Sequence, residues 1–185
     1  GRTLAEYEKS LYALAHQAPA AAVEDQSQPL RLHQGSVPTD WTDYNGHMNE
    51  SRYLQVFSNA CDGLLARIGA GTSYVRDKAC SYYTAENHVT YLKEIGVQEP
   101  YYVTTQLLDH DGKRIHAFHR MFHGRSGEEL ATGEQMLLHV DMTAGKAVVA
   151  PAAITDAIAK IAAAQVGLPR PKQAGAAIGI RRKKA

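Results

Sequence analysis

Asp40-Trp41-Thr42-Asp43-Tyr44-Asn45-Gly46-His47-Met48-Asn49 is a turn crowded with polar groups that runs straight into the most apolar helical pattern of the chain. Beyond Asn49, apolar residues recur at Tyr53, Leu54, Val56, Phe57, Ala60, Cys61, Leu64, Leu65 and Ile68. That stripe is wider than a coiled-coil seam, so the helix is expected to be wrapped by other structure. Asn49 suits the N-cap, and Gly69 and Gly71 suit the stop. A buried helix reached through a carboxylate, an amide and an imidazole makes a poor surface loop and a good mouth for an active site.

Upstream of the turn, Leu30 to Val37 reads as a strand, with Leu30, Leu32 and Gln34 alternating against Arg31, His33 and Gly35 until Pro38 and Thr39 break it. Earlier still, Leu4, Tyr7, Leu11 and Leu14 have helical spacing within residues 3–16, and the polar stretch from Glu24 to Gln28 reads as a linker. Downstream, residues 80–92, 100–108, 113–123 and 129–142 are strand-like. Asp109-His110-Asp111-Gly112 and Gly124-Arg125-Ser126-Gly127 form turns between them. Gly145 leads to a short Val148-Val149 segment, and Pro151 opens an alanine-rich helix to about Gln165. After Gly167 the tail has no periodicity. The division expected is a helix and linker over 1–28, a main domain over 29–150, and a helix with an irregular basic tail over 151–185. The order of strand, long buried helix and four antiparallel strands predicts an α+β fold, a curved antiparallel sheet gripping one helix.

Composition narrows the function. Lys plus Arg (20) nearly balance Asp plus Glu (19) in 185 residues, so no global field points toward nucleic acid or an acidic membrane. No apolar run approaches the roughly 20 residues of a membrane helix, and no signal-peptide pattern opens the chain. Cys61 and Cys80 lack metal-ligand or CxxC spacing, which fits free thiols in a reducing cytoplasm. A chain beginning at Gly1 rather than Met fits a piece of something longer. His116, His119 and His123 do not predict a metal site. In a strand His119 and His123 share one face while His116 points the other way. No G-x-S-x-G elbow occurs, and Ser51 and Ser58 are ordinary helix positions.

Asp43-Tyr44-Asn45-Gly46-His47-Met48-Asn49, with Arg52-Tyr53-Leu54 beyond it, resembles the D-x-x-G-H-x-N…Y-L signature of the hot-dog 4-hydroxybenzoyl-CoA thioesterase family. The resemblance covers about residues 30–143, and Glu86-Asn87-His88-Val89-Thr90-Tyr91-Leu92 fits that family's second strand. The stretches at 108–123 and 134–141 look like its betainyl-CoA thioesterase branch, associated with carnitine breakdown and sometimes fused behind a dehydrogenase. One departure is visible: many relatives carry D-x-D before the glycine, whereas here Trp41 holds the earlier position and Asp40 is out of phase.

The resemblance implies hydrolysis of a small acyl-CoA, betainyl-CoA above others. A thioester carbonyl needs an attacking oxygen and a home for the charge that develops on its own oxygen. Asp43 is the candidate for the first, either attacking directly or deprotonating water. Backbone amides of the first helical turn, around Asn49 and Glu50, are the candidate for the second. The family's position carries over to Glu50, through its backbone alone. His47 and Asn49 either orient these groups or serve as ordinary structural residues. Asn45 and Gly46 are expected beside the substrate, with Gly46 allowing a tight turn.

Glu86 and His88, two apart on a strand, share a face and are expected to point toward the site or the facing subunit's site. Trp41 and Tyr44 are the expected aromatic partners of a quaternary ammonium. No metal or redox cofactor is implied, since CoA is part of the substrate. Hot-dog domains join their sheets edge to edge, so a homodimer or higher oligomer is expected, and a fused or associated dehydrogenase is a further possible partner. Two alternatives stand beside this reading. One is a hot-dog hydratase, whose motif places a Pro and the His differently. The other is a non-catalytic module binding an acyl-CoA or quaternary amine.

Overall fold

The apolar stripe beyond Asn49 forms α1 (Glu50–Arg67), which buries Tyr53, Val56, Phe57, Ala60, Cys61, Leu64 and Leu65 in this computed structural model. The structure describes residues 25–180, so the helix expected over 3–16 and the basic residues 181–184 lie outside the described residues. Leu54, counted in the stripe, falls on the exposed side. The helix ends as its glycine requires. Gly69 takes φ +81°, and the Ala70 N–H reaches back to the Leu65 carbonyl at 2.8 Å, the closing bond of a Schellman motif.

Around α1 curls one antiparallel sheet of β1 (Leu30–Ser36), β2 (Cys80–Tyr91), β3 (Pro100–His110), β4 (Arg114–His123) and β5 (Glu129–Asp141). The spatial order is β1-β3-β4-β5-β2, and a two-residue β6 (Lys146–Ala147) adds to β5. It is a hot-dog fold. The helix lies close against the sheet at Gly133, where a Cβ would sit 2.6 Å from the Phe57 ring. Its N-terminal half packs with Ile95, Val103, Met121 and Ala131. Its C-terminal half packs with Leu107, Ile115, Leu137 and three isoleucines, Ile154, Ile158 and Ile161, of α3 (Ala152–Ala164).

Buried between helix and sheet is a polar trio. The His119 ring stacks on Phe57 with centroids 6.0 Å apart, and its nitrogens meet Thr105 Oγ1 at 2.9 Å and Gln135 Oε1 at 3.1 Å. With both nitrogens satisfied by neutral groups, burial pushes the imidazole pKa down to about 4. His116 instead pairs with Glu134 at 2.6 Å, and His123 lies 3.7 Å from Glu99. Three histidines of one strand thus occupy three separate settings.

Two features go beyond the sequence reading. A seven-residue helix, α2 (Thr72–Lys78), fills the connection before β2, its Tyr74 hydroxyl 2.9 Å from His139. The irregular tail is also held. Gln165 accepts from the Leu107 N–H at 2.8 Å and donates to the Gln28 carbonyl at 3.1 Å, doing for the end of β3 what another strand residue would do. Further on, the Gly175 N–H donates to the Glu134 carboxylate at 2.8 Å. Phe118, whose register partners Gln106 and Glu134 both bond the tail, is only 1% exposed although it points away from α1.

Candidate active site

The quoted turn is a short hairpin. Thr42 bridges Met48, the Asp43 N–H donates to the His47 carbonyl at 2.9 Å, and the Gly46 N–H donates to the Asp43 carbonyl at 3.1 Å. Gly46 follows the turn at φ +79° with open space around it, so backbone conformation is what demands glycine here. From the other side, the chain leaving β2 swings in against the hairpin. The Met48 N–H donates to the Ile95 carbonyl at 2.9 Å, and His47 bridges Gly96. The hairpin, the start of α1 and the end of β2 enclose a cleft of about 270 Å³. The hairpin contributes Asp43, Asn45, His47 and Met48; α1 contributes Glu50 and Tyr53; the β2 end contributes Tyr91, Leu92, Lys93 and Glu94.

Asp43 both shapes its loop and faces the cleft. Its Oδ1 accepts the Asn45 N–H at 2.8 Å; among the described residues its second oxygen has no partner. The helix start can be accounted for amide by amide. Asn49 N–H goes to the Trp41 carbonyl at 2.8 Å and Arg52 N–H to the Asn49 carbonyl at 2.9 Å. Ser51 N–H goes to Asn49 Oδ1 at 3.0 Å. Glu50 is left as the first-turn amide without an acceptor among the described residues. An open N–H at the positive end of an 18-residue helix is a ready partner for developing negative charge. It shares the cleft with the Asp43 carboxylate.

The other expected residues fall into three groups. His47 lines the cleft with Nδ1 3.3 Å from Glu94 Oε2, whereas Asn49 has its side-chain oxygen committed to capping, accepting also from Ser51 Oγ at 2.8 Å. Trp41 and Tyr44 do not line the cleft. Trp41 packs on the core with the Arg52 guanidinium 5.5 Å above its ring, and Tyr44 is 97% exposed. Glu86 and His88 do not line this chain's own cleft. The β2–β5 register slips between Thr84 and Glu86, and the extra residue, Ala85, reverses the alternation beyond it. Val89 packs on the core near α1, and Tyr91 stacks edge-on against Tyr53. Glu86, His88 and Thr90 accordingly take the outer face, where His88 and Thr90 adjoin the tail.

Sequence reasoning missed Tyr91, Lys93 and Glu94 as members of the cleft. The signal available was their position at the end of a strand that must pass the helix start.

A single helix wrapped by a curled antiparallel sheet places the molecule in the hot-dog class of folds. The chain belongs to the thioesterase-like superfamily, whose family model matches residues 37–158. It is 44% identical over 182 residues to an L-carnitine dehydrogenase/betainyl-CoA thioesterase of Rhizobium sp, an alignment that covers 98% of this chain and 36% of the relative. This chain thus spans about a third of that fused protein's length. It is also 37% identical to a betainyl-CoA thioesterase of Pseudomonas aeruginosa, covering 83% of this chain and 97% of that one. A Staphylococcus aureus protein solved in complex with CoA superposes with TM-score 0.77 at 25% identity, covering 83% of this chain and 97% of that chain.

Proposed function

We propose that this chain hydrolyses a small acyl-CoA thioester, betainyl-CoA before others, to the free acid and CoA. The observation that carries the reading is the pairing, on one cleft, of the Asp43 carboxylate with the Glu50 amide, which has no acceptor among the described residues. The thioester oxygen accepts from that N–H, which gains strength as charge builds on the oxygen and so favours the transition state over the substrate. Asp43 supplies the attack, through its own free oxygen or through a water it deprotonates; its Oδ1 bond to Asn45 fixes the carboxylate for either course. His47, tethered near Glu94, orients the attacking group, and Asn45 and Gly46 shape the wall beside it.

The reaction needs no metal or redox group, only water and these side chains. A cleft of about 270 Å³ fits a short acyl group and leaves the nucleotide of CoA outside. The Rhizobium and Pseudomonas relatives named for betainyl-CoA support that acyl group. The Rhizobium relative's name, which joins L-carnitine dehydrogenase to betainyl-CoA thioesterase, supports a dehydrogenase, fused or associated, as a partner in cytoplasmic carnitine breakdown. The free edge of β2, which no strand among the described residues covers, is where a second copy joins. Half-exposed Tyr83 and Tyr91 lie along it.

The test is thiol release from a panel of saturated thioesters, betainyl-CoA beside short straight-chain and aromatic acyl-CoAs. Release is expected, fastest from betainyl-CoA. No release from any of them ends the hydrolase reading in favour of a binding module or a hydratase. Equal rates across the panel remove only the betainyl assignment.

A further inference from the structure

The cleft is unusual in what surrounds the acyl position. Asp43, Glu50 and Glu94 line it with carboxylates. The lone lysine there, Lys93, has its ammonium engaged by Glu128. Its two tyrosines meet perpendicularly, with centroids 5.3 Å apart. Both hydroxyls are committed to backbone carbonyls, Tyr53 to Lys93 and Tyr91 to Glu50, each at 3.3 Å. A ligand therefore meets ring surface rather than phenol, beside three acidic residues set against one imidazole, that of His47, whose Nδ1 lies 3.3 Å from Glu94 Oε2.

That combination suits one kind of group. A quaternary ammonium carries a full positive charge and has no N–H to donate. It gains from aromatic faces and from carboxylates held nearby, and it asks for no hydrogen-bond acceptor. A neutral acyl group gains nothing from Glu94, and CoA phosphates are repelled from the same wall, which sends the acyl end inward. We propose that Tyr91 and Glu94 are the specificity-determining residues of this site and select a quaternary ammonium acyl group. The inference rests on the thioester reading above. The Tyr91 hydroxyl is tied to Glu50, the residue whose amide receives the thioester oxygen. A trimethylammonium one methylene from the carbonyl is thereby brought toward this ring.

The experiment compares betainyl-CoA with its neutral isostere 3,3-dimethylbutyryl-CoA, in which carbon replaces the charged nitrogen. The readout is the ratio of the two kcat/KM values, which cancels any loss common to both. In the parent protein the ratio is expected to favour betainyl-CoA by about tenfold or more. Tyr91→Leu and Glu94→Gln should each collapse it severalfold, while Tyr91→Phe, which keeps the ring, preserves it. A parent ratio near one, or a ratio unmoved in the Leu and Gln variants, overturns the proposal. Calorimetric binding of the inert ketone analogues, with a methylene between carbonyl and sulfur, repeats the comparison without turnover. A protein that hydrolyses neither thioester then fails only as a hydrolase, and equal affinity for charged and neutral ketones overturns the selection itself.

Discussion

The two ends of α1 are finished in opposite ways. At the C-terminus, Gly69 and the Ala70 bond close the last turn, and Leu64, Ile68 and the isoleucines of α3 seal it from water. At the N-terminus, the Glu50 amide has no acceptor among the described residues, the flanking hairpin is polar, and the wall beside it carries acidic residues. Unsatisfied backbone groups at a helix end carry a cost that water or a partner must relieve. A protein that seals one end so thoroughly and leaves the other open keeps the open end for something that arrives. Stability resides at the sealed end and chemistry at the mouth.

The sharpest way to break this contrast is to change one residue at each end. Asp43→Asn keeps an acceptor for the Asn45 N–H but removes the ionised oxygen. Turnover of the thioester should fall about 10²–10⁴-fold with little change in melting temperature or in affinity for an inert analogue. Leu64→Ala leaves a void in the closed cluster and should cost about 2–5 kcal/mol of unfolding free energy while kcat stays within a few-fold below the melting transition. Chemical denaturation and steady-state kinetics on the two variants decide it. If Asp43→Asn unfolds the protein, or Leu64→Ala abolishes turnover in fully folded material, the division of labour is wrong.

Between the two ends sits His119, and acid probes it. Its folded pKa is about 4 against about 6.5 when exposed, so as pH falls the unfolded chain takes the proton first. The stability linked to this group is complete above pH 6.5 and is lost as pH drops toward 4, by about 3 kcal/mol. His33, lodged near Asn59 and Tyr101, has a pKa lowered by burial to about 4 and adds in the same direction. Urea midpoints between pH 7.5 and 4.5 should slope less steeply in His119→Gln than in the parent. Parallel slopes would mean that the imidazole is already charged or solvated.

What could be read from the sequence was local. Gly46 in a polar turn, Asn49 before an apolar stripe and Gly69 after it each act through bonds to residues within a few positions, so turn and helix chemistry locates them. The cleft's far wall was not local. Tyr91, Lys93 and Glu94 belong to it because Ile95 and Gly96 pair with Met48 and His47, almost fifty residues earlier in the chain. The turn of Glu86 and His88 away from the chain's own cleft was not legible because a strict two-residue period assumes no bulge, and nothing about Ala85 announces one. His119 was recognisable only as one histidine of three. Its burial depends on Thr105 and Gln135, which two other strands bring to its side. Even α2 escaped notice, since a seven-residue helix draws on packing more than on any pattern of its own.

The smallest expected effect tests where structure stops and chemistry starts at the mouth. Asn49 occupies the cap, and its Oδ1 takes both the Ser51 amide and the Ser51 hydroxyl. Asn49→Ala should therefore cost about 1 kcal/mol of stability and leave a second amide beside that of Glu50. Asn49→Asp caps equally well, so its stability should match the parent within a few tenths of a kcal/mol, yet it sets a negative charge next to the amide proposed to receive the thioester oxygen. If Asn49 only holds the helix start, turnover follows stability, down in the alanine variant and nearly kept in the aspartate one. If the amide of Glu50 carries the developing charge, the order reverses. The aspartate variant stays folded and slows about tenfold, because a charge at that distance opposes the one forming on the oxygen. The reversed order is the expected result, since it follows from the Glu50 amide, which has no acceptor among the described residues.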